Sequence, residues 1–188
     1  LAVCERHRSE GRAALLGIAV GTEVMCRLST VIPKAVHKAG FHPTAIFGVM
    51  GASAGVSAAL GLNAKQIVDA LGIAASFAGG IIEYLAEGAW TKRLHPGWAA
   101  QSGIRAALLA RGGFLGPRTV FEGVHGLFHG FAHSTQGDYE ALTGDFGKKW
   151  VTETLAFKSY PCGTMAHPYI DCAKRLAARG IKAGDVKE

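Results

Sequence analysis

The 188 residues contain no C-x-x-C pair, no run of five like charges, no G-x-x-x-x-G-K-[ST] loop and no HExxH helix. Each absence removes a class. Four cysteines, Cys4, Cys26, Cys162 and Cys172, are too few and too scattered for a disulfide scaffold. Reduced thiols and a cytoplasmic location are therefore expected. The net charge is +6, but without a like-charged block it forms no electrostatic footprint, so no nucleic-acid partner is expected. A Walker-type phosphate site is excluded by the missing loop. No charged segment precedes an apolar run at the start, so no signal peptide is expected. One uncharged stretch, residues 43–64, is mostly Ala, Gly and Ser, which reads as a buried helix, and no membrane partner is expected. Alternating strand patterns are missing from the first 150 residues.

Small and apolar residues dominate what is present. Ala and Gly make up 57 positions, and Leu, Ile, Val and Phe another 47, enough for a proper core. The periodicity predicts helices packed closely through small residues. Ser9 is placed to cap a helix running to about Leu28, with Leu16, Val20, Val24 and Leu28 on one face. Pro43 disfavours helical geometry at His42, so a second helix is predicted from about Thr44 to Leu60, with Gly51 and Gly55 open to a close neighbour. Asn63 is placed to cap a third, Ala64 to about Ala78. A short helix over residues 81–87 and a longer one over residues 97–110, with the small stripe Ala99, Gly103, Ala106 and Ala110, follow. Residues 112–147 read as less regular, with a short helix after Gly137. Residues 151–157 read as extended, and a last helix is predicted from about His167 to Arg179.

Four places carry residue types suited to chemistry. His42, in Gly-Phe-His-Pro-Thr over residues 40–44, sits at a helix start, where the dipole disfavours imidazolium and leaves a ring able to accept a proton. Lys92, Arg93 and His95 precede the helix expected at Gly97, an arrangement suited to a carboxylate or phosphate. Lys158 lies in a Pro-fixed loop beside Cys162, which has no evident base to make it a nucleophile. His125, His129 and His133 would share a face if one helix ran through them, as zinc or nickel ligands do, but Gly126 and Gly130 weaken that helix. Cys162, His167 and Cys172 match no metal-site spacing.

Taken together, the run over residues 40–44, the run Glu-Tyr-Leu-Ala-Glu-Gly-Ala-Trp-Thr-Lys-Arg-Leu-His-Pro-Gly-Trp-Ala-Ala over residues 83–100, Gly-Phe-Leu-Gly-Pro-Arg ending at Arg118, Glu122-Gly123, Phe-Lys-Ser-Tyr-Pro-Cys ending at Cys162, and His-Pro-Tyr-Ile-Asp over residues 167–171 resemble the MmgE/PrpD family. That family includes 2-methylcitrate dehydratase and cis-aconitate decarboxylase. The resemblance covers nearly the whole chain. It implies a mainly α fold: a multi-helix domain over residues 1–153, then the start of a smaller α/β domain over residues 154–188. It implies a longer parent protein, with an Asp and a His supplied before Leu1 and a Tyr supplied after Glu188. It also implies a homodimer that acts on a small polycarboxylate without metal or organic cofactor.

Under that resemblance His42, Lys92 and Lys158 are the expected catalytic residues, with Arg93 and His95 as substrate contacts and no metal ligand. An imidazole suits proton transfer beside a carboxylate. Lys92 suits carboxylate binding and stabilisation of developing charge. Lys158 would engage substrate from the second domain. The implied activity is a lyase of the 2-methylcitrate dehydratase type. A decarboxylase, an isomerase or epimerase with the same proton chemistry, and a non-catalytic helical dimerisation domain are the alternatives.

Overall fold

A computed structural model describes residues 1–187. Helix α1 spans Ala2–Arg6, α2 Gly11–Val31, α3 Ala35–Lys38, α4 Pro43–Ala59, α5 Ala64–Ser76, α6 Tyr84–Glu87, α7 Thr91–Arg111, α8 Leu127–Ala132, α9 Glu140–Thr143 and α10 His167–Ala178. Among the described residues there is no β-strand, only an isolated antiparallel bridge between Phe41 and Ile81. The fold is mainly α. The chain divides into two compact units, Leu1–Glu153 and the residues from Thr154 onward.

Helix α4 lies at the centre of the first unit. It packs against α2, α5 and α7, and α5 also packs against α7. Apolar and small residues surround its axis on most sides, which is the pattern of a helix without a solvent face. Ile46, Val49 and Met50 are fully buried in one core with Leu28 of α2, Ala70 and Ala74 of α5, Ala106 of α7, and Phe128 of α8. Helix α5 starts at the expected cap. Asn63 Oδ1 accepts the Gln66 N–H at 2.9 Å, and Gln66 Oε1 accepts the Asn63 N–H at 3.1 Å.

Glycines set the distance between α2 and α4. A Cβ on Gly51 would stand 2.5 Å from the Gly21 carbonyl oxygen, and one on Gly17 would stand 2.8 Å from that of Gly55. Gly51 and Gly55 are thus matched by Gly17 and Gly21 across the crossing. Alanine is the better helix former by about 1 kcal/mol, yet Gly51→Ala forces side chain into backbone. The clash outweighs propensity, and we expect a net loss of about 1–3 kcal/mol, read as a lower urea midpoint.

Helix α2 is long and apolar enough to cross a membrane by length and composition; α4 is apolar but shorter. Helix α2 nevertheless carries an ion pair in its buried half. Arg27 Nε donates to Glu23 Oε1 at 2.6 Å, and the two side chains are 3% and 0% exposed. Each partner also holds backbone from the end of the unit. The Arg27 guanidinium donates to the carbonyls of Gly144 (2.5 Å) and Lys149 (2.6 Å). Glu23 accepts the N–H groups of Val151 (2.9 Å) and Thr152 (3.0 Å) and the Thr152 hydroxyl (3.1 Å).

That carboxylate explains one departure from the sequence reading. Residues 151–157 were expected to be extended, but Val151–Thr154 forms a 3-10 turn. Two successive N–H groups converge on one carboxylate, which requires a turn, whereas extended backbone points them to opposite sides. A second departure concerns α7, which begins at Thr91 rather than Gly97 and includes Pro96. Pro96 has no N–H to give the Lys92 carbonyl, but this lost bond falls at the start of the helix, where few turns are disrupted. A third concerns α2, which begins at Gly11 with Glu10, not Ser9, at the cap position, and runs on to Val31.

In the second unit a 3-10 turn, Thr164–Ala166, leads into α10, and another, Ala183–Asp185, follows it. Tyr160 donates its hydroxyl proton to Asp171 Oδ1 at 2.5 Å and accepts from Lys174 Nζ at 3.2 Å. The α/β character expected of this part is not displayed by its described residues.

Candidate active site

The site forms where two distant stretches of chain meet. The His42 N–H donates to the Gly80 carbonyl at 2.9 Å, and the Ile82 N–H donates to the Gly40 carbonyl at 3.0 Å. These bonds flank the Phe41–Ile81 bridge and bring the start of α4 beside α6 and α7. Glycine is needed on both sides. Gly40 has φ +90° and Gly80 has φ +147°, and a Cβ on Gly80 would lie 2.6 Å from Ala45 Cβ and 3.0 Å from His95 Nε2.

His42 holds the cap position of α4, followed by Pro43, but its side chain makes no capping bond. Its imidazole turns to α7 instead. His42 Nδ1 lies 2.9 Å from His95 Nδ1, with ring centroids 5.1 Å apart. Tyr84, the first residue of α6, presents its ring edge-on to both, at 5.6 Å from His42 and 5.7 Å from His95. Lys92 Nζ, from the first turn of α7, stands 5.8 Å from the Tyr84 ring centre. His95 is 7% exposed and Tyr84 also 7%, whereas His42 is half-buried and Lys92 exposed. The pair thus has an inner ring, His95, and an outer ring, His42.

Burial disfavours the charged form of both rings. Burial lowers the His42 pKa, and the charges of His95, Lys92 and His37 lower it further. Burial alone lowers that of His95. Burial also raises the Tyr84 phenol, which stays protonated. The sign of the pH dependence follows. Unfolded imidazoles titrate near 6.5, above both folded values, so acid protonates the unfolded chain first. Stability is then present above about pH 6.5 and is lost as the pH falls below it. Urea midpoints measured between pH 7.5 and 5.5 should fall, and should fall less in His42→Gln/His95→Gln.

The sequence-derived residues are distributed unevenly. The first unit brings His42, Lys92 and His95 together. Arg93 leaves this group and lays its guanidinium 5.7 Å from the Trp90 ring centre. His95 does not precede a helix but lies within one, on its buried face. Lys158 belongs to the second unit, where it is exposed in irregular chain. Sequence reasoning did not single out Tyr84 or Gly80. Tyr84 lies at the head of the run that resembles the family, yet only its edge-on packing against both histidines brings it to notice.

The three spaced histidines do not share one helix. His129 lies in α8, His125 precedes it, and His133 ends it at φ +55°. Two of the rings, His125 and His129, meet edge to face at 6.2 Å. Among the described residues no three His, Cys, Asp or Glu side chains are grouped to hold a metal ion, the set Cys162, His167 and Cys172 included.

The sequence profile of the MmgE/PrpD N-terminal domain matches residues 1–140. The chain belongs to the MmgE/PrpD family. Among its relatives, the cis-aconitate decarboxylase-like protein oryM of Aspergillus oryzae is 32% identical over 168 residues, covering 86% of this chain and 35% of the relative. The cis-aconitate decarboxylase of Mus musculus is 33% identical over 171 residues, covering 87% and 33%. That of Aspergillus terreus is 30% identical over 145 residues, covering 74% and 29%. The chain therefore spans about a third of the length of these relatives. His42, Tyr84, Lys92 and His95 fall inside the MmgE/PrpD match, and Lys158 falls beyond it.

Proposed function

We propose that the full-length protein is a lyase that transfers a proton at a carbon beside a carboxylate of a small di- or tricarboxylate. The observation that carries this is the contact of His42 with His95 beside Lys92, with burial lowering the pKa of both rings. His42 Nε2 is the nitrogen left to react, because Nδ1 is engaged with His95. In elimination of water it removes the proton from carbon, the C–H electron pair forms the double bond, and the C–O bond breaks as the departing hydroxide takes a proton from solvent. In loss of CO2 the electron pair of the broken C–C bond stays on carbon, and the same nitrogen, carrying a proton, returns it. Lys92 binds a carboxylate and stabilises the enediolate-like charge, with Arg93 near the same helix start; Lys158 is a further catalytic lysine in this reading. The names of the relatives favour decarboxylation of cis-aconitate as the first reaction to test, and 2-methylcitrate dehydration is the alternative within the same chemistry. A homodimer is part of this reading, supported by the exposed Leu15, Leu16 and Ile18 on α2.

The test is incubation of the full-length protein with cis-aconitate, 2-methylcitrate and succinate-type acids in D2O, followed by proton NMR. CO2 release with deuterium incorporated into the product, or a new alkene signal from loss of water, supports the lyase. Deuterium exchange without bond cleavage indicates an isomerase or epimerase. A folded protein inert to the whole panel overturns the reading in favour of a helical dimerisation domain.

A further inference from the structure

We propose that His95 is a positioning residue, whose Nδ1 shares one proton with His42 Nδ1 and so fixes which nitrogen of His42 reacts. Geometry carries this. A contact of 2.9 Å between two ring nitrogens is a hydrogen bond only if one of them bears a proton and the other a lone pair. Two lone pairs or two N–H groups at that distance would repel. Free imidazoles have no such constraint.

The consequence is a count. In the neutral pair one ring is protonated at Nδ1 and bare at Nε2, while the other is bare at Nδ1 and protonated at Nε2. The pair therefore always contains one base and one acid, and it accepts a single further proton before the contact breaks. His95 is buried, so it is the inner partner, and His42 is the ring that reaches open space. When the bridging proton sits on His42, its Nε2 is a base; when it sits on His95, His42 Nε2–H is an acid. Other groups around the pair leave this count unchanged. Tyr84 packs edge-on against both rings, Lys92 and His37 act on His42 through space, and Gly80 faces His95, where a Cβ would stand 3.0 Å from Nε2. Among the described residues no carboxylate acts on either ring, so the imidazole of one is the orienting group of the other.

The spectroscopic test is independent of the lyase reading; only the kinetic arm rests on it. Long-range proton–nitrogen correlation of full-length protein labelled with nitrogen-15 in histidine reads the protonation of each ring nitrogen. At pH 7.5 one Nδ1 of the two rings should carry the proton. Finding both rings protonated at Nε2 and bare at Nδ1 overturns the proposal whether or not the protein is a lyase. In His95→Asn the amide can replace Nδ1 as hydrogen-bond partner, and His42 should keep its shifts. In His95→Phe they should move to those of an unconstrained imidazole. With an active substrate in hand, His95→Phe should lower kcat about 10- to 100-fold, typical of a group that orients another, with KM little changed and partial rescue by Asn. A rise in KM with kcat intact would make His95 a substrate contact instead. If His95→Phe does not fold, the wild-type spectrum and His95→Asn decide the question.

Discussion

His42→Ala in the full-length protein is expected to lower kcat by about 10²- to 10⁴-fold, the usual worth of a positioned acid or base. Stability should change little by comparison, since the ring is half-buried and its cap position makes no side-chain bond. Initial rates and a urea titration on the same preparation separate the two effects. Burial and the neighbouring cations hold His42 below the usual imidazole range. If its neutral form is the base, kcat/KM should fall in acid only at pH values below about 6.5. Lys92→Ala offers the contrast, because loss of a carboxylate contact that persists from bound substrate to transition state raises KM more than it lowers kcat. Near-wild-type turnover in His42→Ala would remove the ring from the mechanism.

Arg27→Ala is the change expected to cost most stability, about 3–5 kcal/mol, the range for breaking one half of a buried ion pair. It strands the Glu23 carboxylate, which is fully buried, and it releases the carbonyls of Gly144 and Lys149. Against a typical total of about 5–15 kcal/mol this is a large share. Glu23→Ala should be comparably damaging, since Val151 and Thr152 lose their acceptor. The double variant should cost less than the sum of the two, because the second change removes a group already left unpaired. Burial alone would raise the Glu23 carboxyl, but the two backbone N–H groups and Arg27 outweigh it and hold the group below the usual carboxylate range. Its contribution is therefore complete above the unfolded value and is lost as the pH falls through the folded one. Urea unfolding at pH 7 and pH 4 checks both statements.

Much of the helical frame could be read along the chain, because its signals are local. Asn63 caps α5, Pro43 opens α4, and the small residues of α7 mark a packed face. What could not be read depends on partners far away in sequence. The turn at Val151–Thr154 is imposed by Glu23, more than a hundred residues earlier. The helix expected from Gly97 begins at Thr91, because a proline near a helix start costs little. Gly51 and Gly55 suggested a close neighbour, but not that Gly17 and Gly21 would meet them. Candidate site residues were recognisable as types in runs, and His42 and Lys92 do lie near one another. The nitrogen-to-nitrogen contact of His42 with His95, and the place of Tyr84 against both rings, arise only when the bridge at Phe41 and Ile81 closes.

The glycine crossing of α2 and α4 bears on how steadily His42 is held. Most helix contacts are made by side chains that hop among staggered conformers, so the spacing between such helices is an average over those hops. Where backbone meets backbone there is no conformer to average, and the spacing becomes a hard-wall distance. Helix α4 carries His42 at its start and meets α2 through Gly51 and Gly55. The reactive imidazole is thus mounted on an element whose seating should change little with temperature, leaving the ring's own torsions, restrained by His95, as its main remaining freedom.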